Sequence, residues 1–206
     1  MLLISSSSFL ENDFTEILGK PFREYKIAHI INGSKGKGVN DLSYLERTRE
    51  RFKKQDCYFE DLDLDGKNAN ELRSILKNFN AVFVNGGSTF YLLKSIRKSG
   101  FDEVIKELLP QGFLYMGASA GSYVACPTIE MALWEHQDIY DHSGITDFTG
   151  MNLVPFLVTV HYNPEYKELL KEKIPNASCP VRILTDEQAI LVKDEEIKFF
   201  GEEIKV

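Results

Sequence analysis

Short apolar runs alternate with amphipathic helical runs along the first two thirds of the chain. Apolar residues recur at helical spacing over 42–54, 70–78, 90–98 and 102–109. Runs rich in β-branched and aromatic residues, typical of strands, fall between them at 2–5, 26–32, 58–62, 81–85 and 113–116. Because strand, helix and strand in series form right-handed crossovers, this order predicts an α/β fold. We expect a mostly parallel sheet flanked by helices on both faces.

The C-terminal third has a different pattern. A strand over 156–161 and a helix over 164–173 precede the segment VRILTDEQAILVKDEEIKFFG. This segment contains three short strand-like runs, and KDEE between the last two is a plausible hairpin turn. We therefore expect an antiparallel extension at one edge of the sheet. Because no repeat, low-complexity tract or linker interrupts the chain, we predict a single domain over residues 1–206.

Composition excludes several classes of function. The chain of 206 residues has a formal net charge of −7, whereas a nucleic-acid partner would need a concentrated excess of Lys and Arg. No stretch approaches the length of a membrane span. The cysteines are odd in number and widely spaced, which favours reduced thiols over disulfides or a zinc site: Cys57, Cys126 and Cys179. We expect a cytoplasmic protein.

Three polar or glycine-rich segments follow apolar strands, where open α/β sheets form their sites: NGGSTF at 85–90, GASAGS at 117–122 and HYNP at 161–164. The second contains Gly-Ala-Ser-Ala-Gly between a strand and a helix. This is the pattern of a nucleophile elbow, which presents Ser119 in a strained turn. The N–H of Ala120 is then placed to stabilise an oxyanion. The alternative is a tight connection without catalysis.

The paired glycines of NGGSTF allow the backbone to approach a ligand closely. Gly86 or Gly87 is a candidate for a second oxyanion donor. The alternative is an ordinary helix start, with Ser88 or Thr89 capping the helix that follows.

In the segment FLVTVHYN, His161 directly follows the apolar strand FLVTV, at the point where the strand leaves the core. This position suits a general base. The alternative is a structural, hydrogen-bonded histidine, and we expect His29 in KIAHII to lie next to the core. A hydrolytic base also needs an orienting carboxylate. Between elbow and histidine the chain offers five, and their pattern singles out none: Glu130, Glu135, Asp138, Asp141 and Asp147.

Taken together, these segments resemble the peptidase E and cyanophycinase family of serine peptidases. That family is similar to class I glutamine amidotransferases, a flavodoxin-like fold, with serine replacing the elbow cysteine. The resemblance rests on VNGGSTFYLL, LYMGASAGSYVACPTI and MNLVPFLVTVHYNPEY in that order, with a similar opening LLISSSS and closing ILTDEQAILV. It implies Ser119 as nucleophile, His161 as base, and the N–H groups of Gly87 and Ala120 as the oxyanion hole. No metal or organic cofactor is implied.

The resemblance also implies the chain order serine, acid, histidine. In peptidase E the acid follows the serine by about a helix and a loop, and the corresponding position lies near Trp134, which cannot serve. We therefore expect Asp138, then Glu135, to orient the histidine. A second difference is Ser88, where the family usually has Asn.

Within this family, peptidase E cleaves dipeptides with an N-terminal aspartate and cyanophycinase cleaves aspartyl-arginine polymers. By this resemblance we expect a short peptide substrate. The net charge and the lack of a long apolar stretch predict no nucleic-acid or membrane partner, and we expect a monomer or homodimer. The candidate substrate-binding residues are Gly86, Ser88 and Arg182, although Arg182 also fits a solvated edge-strand arginine. Two other functions remain open: an esterase or amidase of the same mechanism, and a non-catalytic protein that binds small molecules or peptides on this fold.

Overall fold

A computed structural model describes residues 1–5, 15–36, 38–134, 142–194 and 196–206, apart from the side chains of residues 16 and 17. The strands in these ranges are β1 Leu2–Ser5, β2 Lys26–Ile30, β3 Tyr58–Leu62, β4 Ala81–Val84, β5 Leu114–Ala118, β6 Leu157–Thr159, β7 Val181–Ile183, β8 Ala189–Lys193 and β9 Glu196–Phe200. The α-helices are α1 Thr15–Leu18, α2 Ser43–Lys54, α3 Ala69–Leu76, α4 Thr89–Ser99, α5 Phe101–Leu108, α6 Ala120–Tyr123 and α7 Lys167–Lys173. Short 3₁₀ helices cover Phe22–Glu24, Asn32–Lys35, Leu109–Gln111, Glu130–Leu133, Pro164–Tyr166 and Ile174–Asn176.

Seven of the described strands form one sheet in the order β3-β2-β4-β5-β1-β8-β9. The five strands from β3 to β1 pair in parallel, whereas β8 and β9 add to the β1 edge as antiparallel strands. The predicted α/β fold with an antiparallel C-terminal extension is therefore confirmed. No helix in the described ranges has both the length and the apolar character that a membrane crossing requires.

One strand of the C-terminal segment pairs differently from our expectation. Instead of joining the large sheet, β7 pairs in parallel with β6 in a separate two-stranded sheet. An alternating pattern predicts a strand but not its partner, because side chains alternate in the same way whichever strand lies alongside. This pairing becomes important at the site, since both strands lead into it.

Two hydrophobic cores cover the two faces of the sheet. Successive strand residues point to opposite faces, so Val82 packs with α3, α4 and α5 while its neighbour Phe83 packs with Phe52 of α2. All three side chains are at most 2% exposed. The central parallel strands β1, β4 and β5 are buried along their whole length, which explains why they appear in the sequence as mainly apolar runs, whereas the edge strand β3 carries exposed charged residues.

The loops that follow β2 and β4 pack tightly against each other at the carboxyl end of the sheet. The N–H of Ser88 donates to the carbonyl oxygen of Gly33 at 2.9 Å. A Cβ on Gly87, whose φ is 113°, would lie 2.5 Å from that oxygen, so only glycine fits there. The chain reverses its direction across the sheet between these two strands, and this is where open α/β sheets bind ligands.

His29 on β2 lies in the core, as its apolar neighbours in the sequence predict. The side chain is 0% exposed, its Nδ1 lies 2.8 Å from Asp61 Oδ1, and its ring packs edge-on against Phe52. Burial lowers the pKa of His29, although the hydrogen bond that its Nδ1–H donates to Asp61 opposes the shift. The hydrogen bond from His29, together with Arg49, lowers the pKa of Asp61 to about 2 despite partial burial.

The lowered pKa of His29 predicts a loss of stability in mild acid. At a pH below 6.5, the ordinary pKa of histidine, the unfolded chain binds a proton at His29 that the folded protein does not. The free energy of unfolding therefore decreases as the pH is lowered. The slope due to this group approaches, at most, about 1.4 kcal/mol per pH unit. Urea unfolding, carried out at several pH values from 7.5 to about 4.5, measures this slope. In His29→Gln we expect a shallower slope, and an unchanged slope would contradict the assignment.

Candidate active site

The Gly-Ala-Ser-Ala-Gly segment forms the corner between β5 and α6. Ser119 has φ 53° and ψ −116°, a combination that is rare for residues other than glycine. A Cβ on Gly117 would lie 2.6 Å from the carbonyl oxygen of Gly121, and a Cβ on Gly121 would overlap the carbonyl of Val84. The corner therefore requires both glycines, and it leaves the serine half-buried at the carboxyl end of the sheet.

Hydrogen bonds attach this corner to β1, the strand beside β5. The N–H of Ser119 donates to the carbonyl oxygen of Ser5 at 3.2 Å. The hydroxyl of Ser122 donates to the same oxygen at 2.6 Å and accepts from the N–H of Ser5 at 3.1 Å. Because Ser5 and Ser122 are buried, the sheet sets the position of the Ser119 backbone.

His161 follows β6 and faces the elbow. Its Nε2 lies 2.9 Å from Ser119 Oγ, and its backbone has a positive φ of 57°. Hydrogen bonds fix the residues before and after His161. The N–H of Val160 donates to Tyr123 Oη at 3.3 Å. The N–H of Tyr162 donates to the carbonyl oxygen of Leu184 at 3.0 Å. The strand end thus places the imidazole in contact with the serine hydroxyl.

Asp186 lies on the other side of the imidazole. Its Oδ1 is 2.6 Å from His161 Nδ1. The parallel pairing of β6 with β7, continued by the bond from the N–H of Leu184 to the carbonyl oxygen of Thr159 at 2.8 Å, brings the two strand ends together. With Nδ1–H donating to the carboxylate, Nε2 is free of a proton and can accept one from Ser119. This is the geometry that nucleophilic catalysis by serine requires.

The paired glycines lie beside the serine. A Cβ on Gly86 would be 3.1 Å from the Cβ of Ser119 and 3.4 Å from its Oγ. The N–H of Gly86 already donates to Asn85 Oδ1 at 2.8 Å. Within the described ranges, the N–H groups of Gly87 and Ala120 donate to no protein atom. These two N–H groups therefore remain the candidates for an oxyanion hole.

The other two predicted substrate contacts have partners within the protein. Ser88 is 0% exposed and its hydroxyl accepts from the N–H of Tyr91 at 3.3 Å, so it caps α4, as in the alternative considered above. Arg182 on β7 forms an ion pair with Glu203, and more than a third of its side chain is exposed. A role for either residue in substrate binding stays a prediction.

The carboxylates between elbow and histidine do not supply a described partner for the imidazole. Asp138 and Glu135, the expected acids, lie outside the described residues, so that prediction is untested. Glu130 and Asp147 are described, and both accept hydrogen bonds from serine or threonine residues elsewhere. In the part of the chain that the structure describes, no cluster of three or more His, Cys, Asp or Glu residues could hold a metal ion.

Sequence reasoning missed the contact of Asp186 with His161. The predicted acids all lie between Ser119 and His161, in agreement with the order that the resemblance implies. Yet Asp186 directly follows the run VRILT, so it stands at the end of a strand, as His161 does. A polar residue at a strand end was the signal that could have found it.

Comparison with known proteins identifies the family. The model for Peptidase family S51 matches residues 1–200. The chain belongs to peptidase family S51. An uncharacterized peptidase of Pasteurella multocida is 30% identical over 199 residues, covering 95% of this chain and 94% of the relative. Peptidase E of a Nostoc species is 30% identical over 168 residues, covering 77% and 66%.

Solved structures agree in fold with this S51 member. A Listeria monocytogenes protein assigned to peptidase E superimposes with a TM-score of 0.82 at 23% identity, covering 99% of this chain and 98% of the other. A peptidase from an acI-B1 actinobacterium gives a TM-score of 0.71 at 15% identity, covering 98% and 87%. Membership of family S51 and the similarity to peptidase E make the chain a serine-type peptidase.

Proposed function

We propose that the chain hydrolyses short peptides, aspartyl dipeptides among them, with Ser119 as nucleophile, His161 as general base and Asp186 as the orienting acid. The observation that carries this proposal is the continuous hydrogen-bonded series from Ser119 Oγ through the imidazole to the carboxylate, at 2.9 Å and 2.6 Å. The functional order along the chain is then serine, histidine, acid. It differs from the order that the resemblance implies.

Acylation uses each of these groups once. Ser119 Oγ attacks the carbonyl carbon of the scissile bond as its proton passes to His161 Nε2, and the N–H groups of Gly87 and Ala120 stabilise the oxyanion. Asp186 stabilises the imidazolium and keeps the ring in the correct tautomer. The imidazolium then protonates the leaving amine as the C–N bond breaks. The acyl group remains on the serine oxygen.

Deacylation repeats these steps with water. A water molecule attacks the ester as Nε2 takes its proton, and the imidazolium returns a proton to Ser119 Oγ as the acid product leaves. An esterase or amidase would use the same chemistry, so the substrate decides between these functions. A non-catalytic binding protein would need no acid beside His161, so the contact of Asp186 with Nδ1 at 2.6 Å supports catalysis over that alternative.

A panel of dipeptides tests this function. It should include N-terminal Asp, Asn, Glu and Ala before a common second residue, together with a simple ester, and released products should be quantified. We expect the wild-type protein to hydrolyse dipeptides and Ser119→Ala to release no product above the background of this assay, because the nucleophile is lost. Turnover of the ester without any dipeptide would favour the esterase. Dipeptide release that persists in Ser119→Ala would rule out the proposed nucleophile.

A further inference from the structure

A buried series of hydrogen bonds connects the protein surface to the paired glycines. On the outer side, Arg49 Nη2 donates to Asp61 Oδ2 at 2.6 Å. On the inner side, Asp61 Oδ1 lies 2.8 Å from His29 Nδ1. The Nε2 of His29 lies 2.9 Å from Nδ2 of Asn85, and Oδ1 of Asn85 accepts from the N–H of Gly86 at 2.8 Å. His29 is 0% exposed and Asn85 is 5% exposed. The series therefore runs through the core to the edge of the site.

Each atom in this series has one consistent role. Because the carboxylate of Asp61 only accepts, the ring proton of His29 must lie on Nδ1, and Nε2 must then accept from the amide nitrogen of Asn85. This fixes the amide of Asn85 with its oxygen toward Gly86. The His29 ring thus determines which end of the Asn85 side chain meets the backbone of the site.

The peptide between Gly86 and Gly87 is also held from α2. Its carbonyl oxygen lies 3.4 Å from Tyr44 Oη. In a trans peptide the carbonyl and the following N–H point in opposite directions, so the N–H of Gly87 points away from Tyr44. Thr48 connects the two supports, because its Oγ1 lies 3.2 Å from Asn85 Nδ2 and donates to the carbonyl oxygen of Tyr44 at 2.9 Å.

We propose that Asn85, oriented by His29, is a positioning residue: it holds the N–H of Gly86 and so fixes the backbone from which the Gly86–Gly87 peptide directs the N–H of Gly87 toward the developing oxyanion. This inference rests on the proposed function. Without the bond to Asn85, the two glycines have wide conformational freedom, and the donor would be ordered only at the moment of reaction. Gly86 lies against Ser119, so a small rotation of this peptide changes the site directly.

The rate of Ser119 labelling by a fluorophosphonate tests the proposal without a known substrate. In this reaction Ser119 Oγ forms a bond to phosphorus, fluoride leaves, the serine proton passes to His161, and the phosphoryl oxygen occupies the oxyanion hole. For Asn85→Leu, which lacks the acceptor, we expect the limiting rate of inactivation to fall by at least about tenfold, with the half-saturating concentration nearly unchanged. If Asn85 only stabilised the fold, the limiting rate of inactivation would not fall while the half-saturating concentration stayed the same.

Two variants control for loss of packing. Asn85→Asp keeps an oxygen for the N–H of Gly86, and its second oxygen can accept from a protonated His29, so we expect a rate within about threefold of wild type. Asn80→Leu removes a matching asparagine at the opposite end of β4, where the side chain bridges Lys26 and Glu24. We expect Asn80→Leu to label at the wild-type rate, with thermal unfolding measured on every variant.

The outcomes separate this proposal from the function beneath it. Wild-type kinetics in Asn85→Leu, or equal slowing in Asn85→Leu and Asn85→Asp, would overturn the positioning role. If Asn85→Leu does not fold, His29→Gln decides, since loss of the orienting ring should slow labelling by about threefold or more and an unchanged rate overturns the role. Absence of labelling in the wild-type protein, or labelling that survives Ser119→Ala, would instead reject Ser119 as the nucleophile.

Discussion

Alanine at Ser119, alanine at His161 and both substitutions together are expected to lower kcat by a similar factor, on the order of 10⁶, on any peptide that the wild-type protein cleaves. The two side chains act in one step, because Oγ becomes nucleophilic only as Nε2, 2.9 Å away, takes its proton. Once either group is missing, the other has nothing to contribute. The remaining activity comes from the oxyanion donors and from binding.

This prediction is measured as a double-mutant cycle, with product release followed at saturating peptide. His142→Ala is a suitable control for a lost histidine, because the His142 ring is exposed and its centroid lies 4.3 Å from that of Phe90 rather than at the serine. We expect the control to retain kcat within about twofold. If the two losses multiply in the double variant, Ser119 and His161 do not act as a unit.

Local sequence patterns predicted most of the fold because the central strands are buried on both faces. A fully apolar run such as Ala81–Val84 between helical segments leaves few alternatives to a parallel strand. The Ser119 corner could also be found from the sequence, since its glycines satisfy a steric requirement that appears directly as Gly-x-Ser-x-Gly. His161 was found by its place at a strand end.

The contact of Asp186 with His161 could not be predicted in the same way. It depends on β7 leaving the large sheet to pair with β6, and that is a choice between partners that are distant in sequence. Local alternation contains no information on this choice. The role of Asn85 was hidden for a similar reason, because its partner His29 belongs to another strand and looks like an ordinary core residue in sequence.

Asparagine at Asp186 is expected to lower kcat by about 10⁴ while leaving the fold intact. The carboxylate accepts from Nδ1 of His161 at 2.6 Å, whereas an amide can present its NH₂ group to that nitrogen and stabilise the wrong tautomer. It also cannot neutralise the imidazolium that forms during attack. The side chain of Asp186 is 53% exposed, so the loss of this hydrogen bond should change the free energy of unfolding by less than about 1 kcal/mol.

Kinetics of Asp186→Asn should therefore be measured beside thermal unfolding, and beside Asp138→Asn and Glu135→Gln. The last two replace the acids expected from the order serine, acid, histidine, and we expect both to keep kcat within about twofold. A large loss in Asp138→Asn or Glu135→Gln, with little loss in Asp186→Asn, would restore the order serine, acid, histidine. A large loss in Asp186→Asn alone, at unchanged melting temperature, would instead mean that the acid follows the histidine and is delivered by the β6–β7 pair.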